Sequence, residues 1–177
     1  MPPEPKPLLE PVGTANIPAT TGRFVAKDRF VLDTSATAKT RISYLGDKFK
    51  AWFLDKIEEP FAGSTLRSFK LRESSLDGPI IAELGGEVRA ETTLAEVYAL
   101  IERQKSGESG ILLTNGWANI FYVRDSTGVL RAVFVDWYGA GWHVRASAVS
   151  DPRRWDDGRR VFSRSSCPST SVRAVEG

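Results

Sequence analysis

An α+β fold is what this 177-residue sequence predicts: two helices packed on a mainly antiparallel, curled sheet that ends in a C-terminal β-meander. Three observations carry that expectation. Two stretches show apolar residues at helical spacing, one of them opened by a capping box. From Gly110 onward the pattern changes to short β-prone runs separated by turn clusters. Those turn clusters are so short that consecutive runs must lie antiparallel.

The elements follow in order. Five of the first 11 residues are proline, which fixes φ and removes backbone donors, so residues 1–22 are expected to be an extended, proline-rich tail or docking segment. A single α+β domain is expected over 23–165, and a polar C-terminal tail over 166–177. Residues 23–32 (RFVAKDRFVL) contain two β-prone pieces, a strand pair or one interrupted strand, and a loop follows. In SYLGDKFKAWFLDKIEEP, Leu45, Phe49, Trp52, Phe53 and Ile57 recur at helical spacing up to Pro60, with charges on the other face. LRSFKLR partly alternates, as a half-buried strand does. PIIAEL (79–84) reads as a short apolar strand broken by Gly85-Gly86. Thr93 and Glu96 form the capping box of a helix over about 94–105, with Gly107 as its stop. Residues 111–114, 117–124, 129–138 and 142–149 are β-prone, the last three forming the meander, and 160–164 extends or closes the sheet.

Composition narrows the function classes. A net charge of +2 gives no general affinity for polyanions, although the region from Tyr122 to the end carries arginine and no lysine. One cysteine, Cys167, cannot form an internal disulfide or a structural zinc site by itself. The N-terminus lacks the basic and apolar regions of a secretory signal, and no apolar run approaches the roughly 18 residues of a membrane span. A cytoplasmic protein without membrane attachment is the expectation.

Four of the five tryptophans lie between Gly116 and Arg164, interleaved with arginines. Alternation puts Trp142, Val144, Ala146 and Ala148 on one apolar strand face, with His143, Arg145 and Ser147 on the other. Trp117, Phe134 and Trp142 are therefore expected in the core, and the places of Trp137 and Trp155 stay open. What remains as a binding patch is Arg131, Trp137, His143, Arg145, Arg153, Arg154, Trp155 and Arg159.

Catalytic chemistry finds little support in the residues. The single histidine, His143, is the only base for a Ser-His-Asp or Cys-His site, with Asp136, Ser147 and Cys167 as the available partners. Its bland alternative is an exposed strand residue. Phosphate-cradling glycine loops and calcium-loop spacing are absent, and no cofactor or metal is expected. The first expectation is a non-enzymatic module that binds a protein partner, or a second copy of itself, through the arginine/tryptophan patch. Nucleic-acid binding through the same residues is the second, and an enzyme centred on His143 the third.

Overall fold

Side-chain alternation decides how this molecule is layered, because the central strands are apolar on both faces. The computed structural model describes residues 6–164. Its strands are β1 (Leu9–Ile17), β2 (Phe24–Val25), β3 (Ile42–Leu45), β4 (Ile57–Glu58), β5 (Ser64–Leu71), β6 (Glu91–Thr92), β7 (Asn119–Arg124), β8 (Leu130–Tyr138), β9 (Gly141–Ala148) and β10 (Arg160–Arg164). Between them lie the helices α1 (Ala26–Arg29), α2 (Asp47–Phe53), α3 (Asp77–Glu83), α4 (Glu87–Ala90) and α5 (Leu94–Arg103). Eight strands make one mostly antiparallel sheet in the order β1-β5-β10-β7-β8-β9-β3, and β6 pairs with β7. β2 and β4 form a separate ribbon.

The mixed architecture and the β7-β8-β9 meander match the expectation, and two details do not. Five helices are present among the described residues instead of two, and the sheet runs as an open path from edge strand β1 to edge strand β3 where a curl was expected.

Each face of the sheet has its own core. On one, Phe121, Val133, Val135, Trp142, Val144 and Phe162 pack with Phe49 and Phe53 of α2 and with Leu94, Val97 and Ile101 of α5. On the other, Ile120, Tyr122, Ala132, Val161 and Leu71 pack with Ile80 and Ile81 of α3 and Ala90 of α4. Burying a side chain of this size contributes about 1.5–3 kcal/mol, so double coverage is what the two-sided apolar pattern of β7 and β8 requires.

Helix α5 starts as its capping box demands: Glu96 N–H donates to Thr93 Oγ1, and Thr93 N–H donates to Glu96 Oε1 at 2.8 Å. Glu58 takes the next two free donors, Leu94 N–H and Ala95 N–H, so two carboxylates sit at the positive end of the helix. Glu96 is fully buried and is matched by the guanidinium of Arg164 and the hydroxyl of Ser64.

Several segments depart from their expected form, each for a physical reason. PIIAEL belongs to helix α3 and not to a strand. Pro79 occupies its first turn, where a missing N–H costs nothing, and Ile80, Ile81 and Leu84 face the second core. Residues 23–32 form β2 followed by α1, which folds Phe24 and Phe30 edge-on against Tyr98. The expected first helix divides into β3, parallel to β9, and the shorter α2. Residues 111–114 make no strand, because side-chain amides replace strand partners. Gln104 pairs with both backbone polar groups of Leu112, and Asn119 does the same for Leu113. Residues 9–17, within the stretch expected as a tail, pair with β5 as an edge strand. Pro11 is tolerated there because an edge needs no donor on its outer side, and the register shifts between Pro11 and Gly13. Cys167 and the 166–177 tail lie outside the described residues. Among the described residues no helix is long and apolar enough to cross a membrane.

Candidate interaction groove

The chain between β9 and β10 crosses the second face of the sheet and brings Arg145, Arg153, Arg154 and Arg159 around two adjoining cavities. It is pinned at Trp155, whose backbone N–H donates to Ser75 O at 2.8 Å while Ser75 N–H donates to Trp155 O at 3.0 Å. Below it, Asp77 opens helix α3. Its Oδ1 accepts the hydroxyl of Tyr122 at 2.6 Å and the indole N–H of Trp155 at 2.8 Å. Asp77 is 1% exposed, and burial pushes its carboxyl up, the two hydrogen bonds opposing and the nearby Asp151 adding to that shift. The Trp155 ring meets Phe134 edge-on, with centroids 4.9 Å apart.

Cross-strand pairing places Arg145 of β9 directly opposite Phe134 of β8. Its guanidinium lies 5.1 Å from the Phe134 ring centre, and Nη2 donates to Asp136 at 2.8 Å. The Nε of Arg145 is buried without a partner among the described residues. Arg153 is held by Asp151 through a paired set of bonds, at 3.2 and 3.1 Å from its Nε and Nη2. Arg159 lies 3.7 Å from Asp156 and 4.4 Å above the Trp117 ring. Arg154 has no acidic partner among the described residues; its Nη1 donates to Ser74 O at 3.2 Å.

Two adjoining cavities of about 200 Å³ each result, and they share Phe134, Arg145, Arg154 and Trp155. One end is completed by Asp77, Ser147, Asp151 and Arg153, the other by Gly116, Ala118, Asp136, Asp156 and Arg159. The groove therefore has an aromatic floor and a polar rim in which most arginines already face an aspartate.

Five of the eight residues of the expected patch come together here: Arg145, Arg153, Arg154, Trp155 and Arg159. His143 shares their sheet face but sits with Tyr44 and Tyr138, ring centres 5.3 and 5.6 Å away. Arg131 and Trp137 are on the opposite face, and the sheet separates them from the groove. Arg131 lies 3.8 Å over the Trp52 ring and pairs with Asp125 at 2.9 Å. Trp137 packs edge-on against Trp142 in the first core. Strand parity is the reason: positions 131 and 137 of β8 differ by an even number from each other and by an odd number from Phe134.

The tryptophans expected in the core divide. Trp142 is fully buried, its indole N–H donating to Gln104 O. Trp117 is 42% exposed because β7 begins only at Asn119, leaving Trp117 on the loop against Gly158. Phe134 is half-buried and floors the groove. Asp77, Ser147 and Asp151 also line the groove, although none of them belongs to the patch expected from the sequence. Ser147 was within reach of the sequence, being on the same strand face as Arg145; Asp77 was not, because its neighbours read as a strand.

Of the nucleophiles available to His143, Ser147 does not stand beside it and Cys167 lies outside the described residues. Ser147 is four residues along the same extended strand, about 13 Å away, beyond hydrogen-bond reach. Asp136 stands opposite His143 in the register, but its carboxylate is engaged by Arg145. No protein-family model, curated protein or solved structure matches the chain.

Proposed function

We propose that the chain is a non-enzymatic module that binds a protein partner through the groove beside Trp155. The observation that carries the reading is the convergence of Arg145, Arg153, Arg154 and Arg159 on a floor made by Phe134 and Trp155. Arginine and aromatic side chains anchored in a partly desolvated concavity are the composition of binding hot spots. The anchors are already positioned by Asp136, Asp151, Asp77 and Asp156, which lowers the ordering cost of association.

Nucleic acid is less well supported. A single-strand binder needs open aromatic faces and a surplus of positive charge. Here Trp155 is edge-on to Phe134 with its N–H committed to Asp77, and three of the four groove arginines are paired with aspartates.

Affinity capture with the immobilised full chain, compared between wild type and the Arg145→Glu/Arg154→Glu double variant, tests the reading. The expected result is a protein captured by wild type, insensitive to nuclease and lost with the double variant. An identical captured set for both forms, or capture abolished by nuclease, would overturn it. Sedimentation of the purified chain tells whether the partner is a second copy.

A further inference from the structure

We infer that the partner enters this groove with a segment carrying a single acidic side chain beside an apolar one, an inference that rests on the protein-binding reading above. The charge inventory of the groove decides it. Arg153 is neutralised by Asp151, and its side chain is 79% exposed, directed to the rim. Arg159 is occupied by Asp156 and by the Trp117 ring. Two guanidiniums line both cavities and keep donors to give. Arg154 has no acid beside it among the described residues, and Arg145 commits only its Nη2 to Asp136 while its side chain stays 43% exposed. A carboxylate lying between them accepts from both with the strength of charge-assisted bonds.

The same inventory limits the ligand to one such group. Asp77 and Asp151 line one end, and Asp136 and Asp156 the other, so a second carboxylate on either side meets like charge. A polyphosphate backbone is disfavoured on the same ground. Between the aspartates the floor is the Phe134 and Trp155 rings, which calls for an apolar neighbour to the acid. Each cavity, at about 200 Å³, has the dimensions of one side chain.

The test uses a fluorescein-labelled, C-amidated Ala-Leu-Glu-Leu-Ala and full-length protein, read by anisotropy up to millimolar protein. Arg154→Gln is expected to weaken binding roughly tenfold or more, as loss of a charged anchor does. Arg153→Gln, on an exposed and already paired residue, should change it less than about twofold. The peptide with Gln in place of Glu should lose as much as Arg154→Gln does, and replacing both leucines with Glu should not improve affinity. Melting curves of both variants, expected to match wild type, exclude misfolding as the cause.

Equal losses for Arg153→Gln and Arg154→Gln would overturn the inference, as would tighter binding of the triply acidic peptide. No difference between the Glu and Gln peptides would do the same. If no peptide binds while a partner is still captured through Arg145 and Arg154, the occupant is wrongly assigned and the protein-binding reading stands. If capture also fails, both fall.

Discussion

Two buried aspartates show opposite responses to their surroundings. Asp77 sits on the α3 face of the sheet, and burial raises its carboxyl. A group of this kind stabilises the fold fully below its unfolded value of 3.8 and loses that contribution as pH rises through the elevated folded value. Asp77→Asn keeps an oxygen for Tyr122 and Trp155 while removing the ionisation. Relative to wild type, it should therefore gain stability as pH rises from 4 to 8, as measured by urea unfolding. Asp77→Leu orphans both donors and should cost about 1–3 kcal/mol at neutral pH. Asp125 is the reverse case. Burial pushes its carboxyl up, but bonds from Thr127, Arg131 and the backbone N–H groups of Val129 and Thr127 outweigh burial and hold it at about 2. Its contribution is present above 3.8 and is lost as pH falls through about 2. Asp125→Asn should cost about 2 kcal/mol at pH 7, with the gap to wild type closing toward pH 2. Neither role was legible in the sequence. Asp125 falls between the β-prone runs 117–124 and 129–138, where the sequence shows only a turn, and the guanidinium it holds, that of Arg131, belongs to the binding patch expected from the sequence.

At the level of single elements, legibility followed the density of local signals. Helix α5 was readable because its cap, its apolar stripe and its stop all lie within fifteen residues of one another. Its cap supplies a direct measurement: Thr93→Ala should lower stability by about 1 kcal/mol, while Glu58 continues to accept from Leu94 and Ala95. The stop is held more firmly than a helix end requires. Gly107 has φ +77°, and a Cβ there would stand 2.3 Å from the Trp137 ring. Gly107→Ala combines left-handed strain with overpacking against an indole and should cost about 2–5 kcal/mol in chemical denaturation. Helix α3 was misread because six apolar-rich residues have no period to reveal, and only the core they face, supplied by β7 and β10, separates strand from helix. Residues 111–114 failed likewise: the amides that satisfy them belong to Gln104 and Asn119, several residues away on either side.

For the whole molecule, what could not be read was the sidedness of the patch. Parity within β8 was visible from sequence, and it already separated Arg131 and Trp137 from Phe134 and Asp136. What joins Phe134 to Arg145 is the register of β8 with β9, and what joins both to Asp77 and Trp155 is the passage of the chain over the α3 face. The meander was legible because its connections are short. The placement of β10 between β5 and β7 was not, since its partners are far away in the chain. Deleting residues from 159 onward should accordingly leave no cooperative unfolding transition by circular dichroism, because the deletion unpairs β5 from the meander and leaves the buried Glu96 without Arg164.

That last strand also sets a timetable. A ribosome delivers the meander, both helical layers and the β1-β5 pair before it delivers residues 160–164, so two half-sheets with open edges wait on the nascent chain for the piece that joins them. Unpaired edges are where chains pair wrongly with one another. The interval before β10 is delivered is therefore a vulnerable one in the biogenesis of this protein, and slowing translation upstream of it would do nothing to shorten it.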